Sequence, residues 1–401
     1  MRTGKQESIS TEKCESAMHT KLVEFVRDLY RTQDLIPLHA PSFMGNEKAY
    51  LNNVIDSTFV SSVGEYVDKF EAQVQAFTDS SRAIATVNGT AALHTALYLS
   101  GVRAGDVVLT QALTFVATCN AIHQLGAQPA FIDIEPVAFG MCPLALESWL
   151  EANAEVLGNG QCVLKDGGAC IRAVVPMHTF GHPARLGELL SVCEKWSLCL
   201  IEDAAESLGS YYQGQHTGTL GRFGAVSFNG NKVITTGGGG MLLCRISEDG
   251  ALAKHITTTA KKPHPFEFFH DQPGFNYRMP NLNAALGSAQ MEQLEKRLSS
   301  KRRIAEAYRE FFADSEYRFV AEPDYGRSNY WLNAVRCPSA QARDELLELT
   351  NAQGVMTRPV WQLMHRLPMY QDCLRGELPN AVEAEACLVN LPSSALVRDL
   401  R

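Results

Sequence analysis

The chain has 401 residues, 45% of them hydrophobic and 20% charged, with a net charge of −8. That length calls for two or more packing units, and the acidic balance leaves no electrostatic footprint for a nucleic-acid partner. No run approaches the roughly 18 apolar residues of a membrane span, and the polar start MRTGKQESISTEKCES lacks a signal-peptide core, so the sequence reads as a cytoplasmic protein with no membrane attachment.

Residues 1–20 are polar, after which Lys21–Tyr30 sets Leu22, Val23, Phe25, Val26 and Leu29 at helical spacing. An extended, Pro-containing entry and two amphipathic helices follow, separated by a turn at Ser61–Gly64. Arg82–Val87 reads as a strand running into Asn88-Gly89-Thr90 and then a helix. The first turn of a helix presents unpaired N–H groups and the positive end of its dipole, so either Gly89 and Thr90 hold a phosphate or Asn88 and Thr90 simply cap the helix. Gly105–Thr110 is a further strand, and Thr114–Thr118 opens a helix that brings Phe115 to the same rim, its ring lying either on a flat cofactor or in the core. Pro129–Ile134 and Arg172–His178 are two more strands, with the polar stretch Gly158–Gly168 between them reading as an exposed excursion. The eleven cysteines show no CxxC and no paired ligand spacing, which predicts reduced thiols and no metal site.

Leu198–Ile201 reads as a buried parallel strand delivering Glu202 and Asp203 to its C-terminal edge, where open α/β sheets place ligands. Ala225–Phe228 is a short strand followed by Lys232 and four consecutive glycines, Gly237–Gly240, of the kind a crowded or strained backbone requires. A carboxylate and a lysine converging on one rim suit pyridoxal phosphate: the amine forms a Schiff base, and the carboxylate keeps the pyridine nitrogen protonated. Taken alone, Lys232 is equally a surface lysine in a glycine-rich loop. The alternation of strands and helices over residues 80–245 predicts an α/β, doubly wound and mostly parallel sheet. Lys261–Met279 is too aromatic for a linker and reads as a loop that buries itself against something; a long helix from Leu282 to about Phe312 and a small α+β lobe follow. The expected units are 1–36, an N-terminal extension and helix; 37–280, a large domain; and 281–401, a connecting helix and small C-terminal domain.

The blocks VNGTAALHTAL, TFVATCNAI, FIDIEP, HTFGHPA, IEDAAESLG, SFNGNK with its glycines, and GFNYRMPNLNAALGSAQMEQLE resemble, in order and across roughly Pro37–Ser394, the DegT/DnrJ/StrS family of sugar aminotransferases. The resemblance implies the aspartate aminotransferase-like fold type I, pyridoxal phosphate cycling with its pyridoxamine form, a homodimer with shared active sites, and transfer of an amino group from L-glutamate to a nucleotide-linked ketosugar. It implies Lys232 as the Schiff-base lysine and Asp203 as the partner of the ring nitrogen. Gly89, Thr90 and Ser227 would bind the phosphate, Phe115 would stack on the ring, and Asn276 would reach the phosphate from the neighbouring subunit. Family members often carry Gln where this chain has Glu206, near the phenolic oxygen. A large anionic substrate calls for cationic and aromatic contacts, and Arg278, Tyr277, His270, Trp361 and His365 are candidates, while His178 is either a contact to the bound molecules or a strand-end hydrogen bond. The blocks look closest to the legionaminic-acid branch, whose substrate is a nucleotide-linked 4-keto-6-deoxy-N-acetylhexosamine. Family relatives that remove a sugar hydroxyl have histidine in place of the lysine, so Lys232 counts against a dehydratase; together with Asp203 it also counts against a silent, regulatory homologue.

Overall fold

The computed structural model describes residues 18–400, so the polar stretch before residue 18 lies outside the described residues. The apolar runs pair into one seven-stranded sheet made of β1 (Arg82–Thr86), β2 (Val107–Gln111), β3 (Gln128–Ile132), β4 (Ile171–Val175), β5 (Cys199–Asp203), β6 (Phe223–Ser227) and β7 (Gly240–Cys244), in the order β1-β7-β6-β5-β4-β2-β3. The strands from β3 across to β6 are parallel, and β7 runs antiparallel between β6 and β1. All residues of β2 and β7 are buried, as a sheet covered on both faces requires.

Among the described residues up to 312 there are ten α-helices: α1 (18–30), α2 (Glu47–Ser57), α3 (Glu65–Thr78), α4 (Gly89–Leu99), α5 (Val116–His123), α6 (Pro143–Asn153), α7 (Leu186–Lys195), α8 (Ser247–Thr257), α9 (Asn281–Met291) and α10 (Leu294–Phe312). The period-2 alternation of the strands sorts them. Ile84, Val108, Ile201 and Leu242 pack on one face with Leu93 and Leu97 of α4, Ile122 of α5 and Ala253 of α8. Ala83, Ala85, Met241 and Leu243 turn the other way, onto Phe70 and Val74 of α3 and Ala284 and Ala285 of α9. Further along that face, Leu109 and Leu200 meet Leu146 of α6 and Leu189 of α7.

A four-stranded antiparallel sheet builds the small lobe: β8 (Arg318–Phe319), β9 (Asn333–Arg336), β10 (Arg358–Pro359) and β11 (Leu388–Leu391), in the order β8-β9-β11-β10. Leu22, Val23 and Val26 of α1 share a core with Ile304 and Tyr308 of α10 and with Val335 and Val389 of this sheet.

Three segments differ from their sequence reading. The polar excursion is in part a hairpin, Ala154–Val156 against Cys162–Leu164, turning through Gly158–Gly160. The long helix is two, because the chain breaks between Met291 and Leu294: Glu292 keeps helical dihedrals but Gln293 departs from them, with φ −110 and ψ 2, and the Glu292 side chain accepts hydrogen bonds from Asn46 and Tyr50. The aromatic loop does not bury itself within its own chain: it forms a short hairpin, Lys261–Lys262 with Phe269–His270, and its Phe266 and Phe268 are 88% and 82% exposed.

The glycine run is needed for close approach. A Cβ on Gly240 would lie 2.4 Å from the Asn88 carbonyl and 2.6 Å from Gly89 N, whereas one on Gly238 would meet nothing within 4 Å. Backbone cannot rotate aside as a side chain can, so Gly240→Ala is expected to lose roughly 1–3 kcal/mol in urea unfolding, with Gly238→Ala near wild type. Equal effects at the two positions would show that the loop, and not this contact, sets the cost.

Candidate active site

A cavity of about 340 Å³ opens at the C-terminal edge of β5 and β6, walled on its outer side by Trp331 and Trp361 from beyond α10. The parallel register sets Asp203 beside Ala225 and thus brings the end of β5 level with β6. Strand alternation then separates the two acids. Asp203 turns toward α5 and into the cavity, where Thr118 Oγ1 donates to its Oδ2 at 2.6 Å and the Ala205 N–H to its Oδ1 at 3.2 Å. Glu202 turns to the opposite face, accepting the N–H groups of Gly218, Leu220 and Gly221 at 2.6–2.8 Å and bonding His178 Nε2 at 2.9 Å. Burial opposes its charge, but the His178 hydrogen bond and these N–H groups hold its carboxyl below the usual range. His178 is fully buried, its Nδ1 accepting from the Ala184 N–H, so both ring nitrogens are engaged. Of the two readings of His178, this geometry matches the strand-end hydrogen bond: the ring fixes Glu202 and the loop behind it.

Lys232 follows β6 in the loop that reverses toward β7. Its Nζ lies 3.5 Å from Glu206 Oε1 and 3.9 Å from the centre of the Trp331 ring. Glu206 is buried, and its Oε2 accepts the Phe180 N–H at 2.9 Å. Burial pushes its carboxyl up to about 7, against the opposing pull of Lys232 and the Phe180 N–H.

The opposite corner is the start of α4. Asn88 Oδ1 accepts the Ala91 N–H at 2.7 Å, while the N–H groups of Gly89 and Thr90 precede any intrahelical acceptor. Ser227 sits against them so closely that a Cβ on Gly89 would lie 2.9 Å from its Cβ. Phe115, the residue before α5, is half-exposed and lines the cavity, its ring centre 6.4 Å from that of Trp361.

The fold brings together Lys232, Asp203, Glu206, Gly89, Thr90, Ser227, Phe115 and Trp361. It does not bring the others into the same cavity. Asn276 and Arg278 pair through their backbones with Thr258 and Thr86, laying the segment alongside β1 with Asn276 exposed. Tyr277 stacks on Phe275 with ring centres 5.0 Å apart. His365 lies in the short turn Met364–Arg366, and His270 is tied to the Thr259 carbonyl in the exposed hairpin. Three contributors were not singled out from sequence: Thr118, Asn329 and Trp331. Asn329 donates to the carbonyls of Glu206 and Leu208 at 2.8 and 2.9 Å and accepts the Trp331 N–H at 2.7 Å. Among the described residues, no group of His, Cys, Asp or Glu could hold a metal ion, and the ten cysteines are free.

These groups fit pyridoxal phosphate: unpaired helix-end N–H groups beside a hydroxyl for the phosphate, an oriented carboxylate for the ring nitrogen, a primary amine for the aldehyde, and an exposed aromatic ring for one face. The sequence profile of the DegT/DnrJ/EryC1/StrS aminotransferase family matches residues 41–399. The chain is 36% identical over 340 residues to EpsN of Bacillus subtilis (strain 168), covering 84% of each protein. It is 34% identical over 358 residues to GDP-perosamine synthase of Escherichia coli O157:H7, covering 89% of this chain and 93% of that one. Among solved structures, the aminotransferase TlmJ from Streptoalloteichus hindustanus matches with a TM-score of 0.80 at 26% identity, over 90% of this chain and 93% of that one.

A carboxyl raised by burial makes stability fall as pH rises. Between the ordinary value of 4.5 and about 7 the folded protein keeps a proton at Glu206 that the unfolded chain has lost, so the slope of stability with pH is negative over that window. Glu206→Gln keeps the shape and the Phe180 hydrogen bond but cannot titrate. In urea unfolding of cofactor-free protein at pH 5 and pH 8, the variant is expected to lose less stability than wild type across the interval, by roughly 1–3 kcal/mol; parallel losses would show that Glu206 does not titrate there.

Proposed function

Because this chain belongs to the DegT/DnrJ/EryC1/StrS family and is a pyridoxal-phosphate-dependent aminotransferase, we propose that it moves an amino group from L-glutamate to C4 of a nucleotide-linked 4-keto-6-deoxy (N-acetyl)hexosamine, in the cytoplasm, on the route to a bacterial surface-glycan sugar of the legionaminic-acid type. The observation that carries this reading is the meeting of Lys232 and Asp203 in one cavity with an aromatic wall, Phe115, Trp331 and Trp361. Such a wall suits the apolar face of a deoxysugar. The E. coli relative's name joins a GDP carrier to an aminosugar, which supports a nucleotide-linked substrate here.

When bound, pyridoxal phosphate supplies a ring that accepts the electrons left on a carbon that gives up its proton. The chain's own residues do the rest. Gly89, Thr90 and Ser227 would hold the phosphate. Asp203, fixed by Thr118 and Ala205, would hold a proton at the ring nitrogen. Phe115 would shield the ring from water. Lys232 takes a proton from the α-carbon of the donor and delivers one at C4 of the acceptor, as general base and then general acid. Glutamate leaves as 2-oxoglutarate, and the former ketone carbon carries the amine.

The active form in this reading is a homodimer with sites shared across a two-fold axis. Two observations support it: Asn276 is exposed and does not line its own chain's cavity, and the neighbouring hairpin exposes Phe266 and Phe268 in a way that water disfavours.

Purified protein given glutamate and a panel of GDP-, UDP-, CDP- and dTDP-linked 4-keto-6-deoxysugars, with and without a 2-acetamido group, is expected to yield an aminated product identifiable by mass and NMR. Lys232→Ala should abolish it and Asp203→Asn should lower the rate by orders of magnitude; glutamate turnover with no sugar of the panel accepted would overturn the substrate class. For the shared site, Lys232→Ala and Asn276→Ala subunits, each inactive alone, are expected to recover activity when exchanged, since one site of the mixed dimer carries neither lesion. No recovery after verified exchange would put Asn276 in its own chain's site.

A further inference from the structure

The reaction as described gives Trp331 no part, although this side chain is among the most firmly held at the cavity. It is 4% exposed. Its backbone N–H donates to Asn329 Oδ1 at 2.7 Å and its backbone carbonyl accepts from Lys301 Nζ at 3.1 Å, while on the side chain the indole Nε1 donates to the Asn231 carbonyl at 2.7 Å. The last bond fastens the ring to the residue just before Lys232. As a result the indole face stands 3.9 Å from Lys232 Nζ, well inside the range at which an aromatic quadrupole attracts an ammonium. Asn329 also holds the Glu206 carbonyl, so one buried amide sets both neighbours of the amine, the ring face and the carboxylate 3.5 Å away. Packing alone would be served by any large apolar side chain; it does not call for an indole N–H that bonds the Asn231 carbonyl and so turns a π face onto a cation.

We propose that Trp331 is a positioning residue for Lys232: its indole face seats the ammonium whenever the lysine is not bonded to the cofactor, keeping Nζ in the cavity and favouring its charged form. The proposal rests on the reading of Lys232 as the cofactor lysine. The charged and titratable groups around the amine are few. Glu206 and Asp203 line the same cavity and also favour the cation, but Glu206, raised to about 7, is only partly ionised near neutrality. Beyond the Trp331 carbonyl, Lys301 and His39 bond each other at 3.0 Å. Both are buried; burial disfavours charge on either, and Lys301 and Lys232 further hold His39 neutral. The indole therefore adds to the cation stabilisation that the two carboxyl groups supply, whereas Lys301 and His39 supply none.

The test follows cofactor loading and needs no turnover. Cofactor-free, full-length protein is mixed with pyridoxal phosphate over a series of pH values and quenched with borohydride at timed intervals. The fraction of the Lys232 peptide carrying the cofactor mass is then measured, alongside the melting temperature. Trp331→Leu removes the face; Trp331→Phe keeps a weaker face but loses the bond to Asn231. With the face gone, the neutral amine is more abundant at any given pH. The pH of half-maximal loading rate should therefore move down by roughly 0.5–1 unit in Trp331→Leu, giving about 3–10-fold faster loading below the midpoint, with less than half that shift in Trp331→Phe. An unchanged midpoint in a folded Trp331→Leu, or an equal shift in both variants, overturns the proposal. If Trp331→Leu melts far below wild type, fluorotryptophan decides, because fluorine weakens the ring face while leaving its shape and N–H. A lowered midpoint is expected when it is incorporated into the native sequence and none when it is incorporated into Trp331→Phe, and any other pattern overturns the role. Absence of label on Lys232 in wild type would sink both the lysine assignment and the proposal, whereas a labelled Lys232 with an insensitive midpoint sinks the proposal alone.

Discussion

The cavity depends on one constraint of chain direction: β6 runs parallel to β5, and the next strand, β7, must return antiparallel on the other side of β6. The chain therefore reverses at the C-terminal rim of the sheet, where parallel strands deliver their ends. Lys232 sits in that reversal and Asp203 ends the strand beside it. The returning strand enters through Gly240, pressed against the Asn88 carbonyl and Gly89 N. One reversal thus fixes three things together: the height of the lysine, its distance from the carboxylate, and the position of the helix end that suits a phosphate. Gly237, with φ +79, supplies the left-handed residue in that loop.

Much of this was legible because parallel, doubly covered strands are written as apolar runs, and glycines beside a strand end mark a backbone that other backbone approaches. The same pattern held a detail that the sequence reading did not use: adjacent residues in a strand face opposite ways, so Glu202 and Asp203 cannot both enter the cavity. Once Asp203 is inward, Glu202 must face the His178 side, and the histidine becomes its partner. What no local pattern announces is a contact made by tertiary placement. Thr118 reaches Asp203 from another element, and Asn329 and Trp331 arrive from the small-lobe side of α10 with nothing around them to distinguish an amide that bridges two loops from one in solvent. The helix break at Gln293 is of the same kind, since no proline or glycine marks it, and the neighbouring Glu292 is held by Asn46 and Tyr50, which lie far away in sequence. The hairpin at residues 154–164 is different again: its Asn159-Gly160 turn is a hairpin signal, but its strands are three residues each, too short for alternation to stand out.

The electrostatics of the inner wall turn on how few full carboxylates there are to balance its cations. Lys301 is buried with three neutral partners, the His39 ring and the carbonyls of Trp331 and Ser393, at 2.5–3.1 Å. Those partners satisfy hydrogen bonds without supplying a counter-charge, which is why burial carries its amine well below the ordinary range. Glu206 faces the complementary problem, a carboxyl drawn up by burial beside one amine. A Gln there would give the same shape with no charge to place. A Glu makes the lysine's neighbourhood sensitive to one proton.

The segment after α8 joins the cavity to the molecular surface. Its backbone is pinned to Thr86, two residues before Asn88, and to Thr258 at the end of α8. Arg278 Nε is buried there without a partner, while Asn276 and the hairpin phenylalanines face outward. An unpaired guanidinium nitrogen, an outward amide and exposed rings within one short stretch have a common physical resolution, which is a surface that removes water from the rings and offers acceptors to the polar groups. Because the pinned backbone starts beside the phosphate corner of its own chain, a two-fold partner packed on this stretch would bring its own copy of that corner close to the outward amide. In the proposed homodimer, the register of Arg278 on Thr86 would therefore set how far the amide stands from that corner.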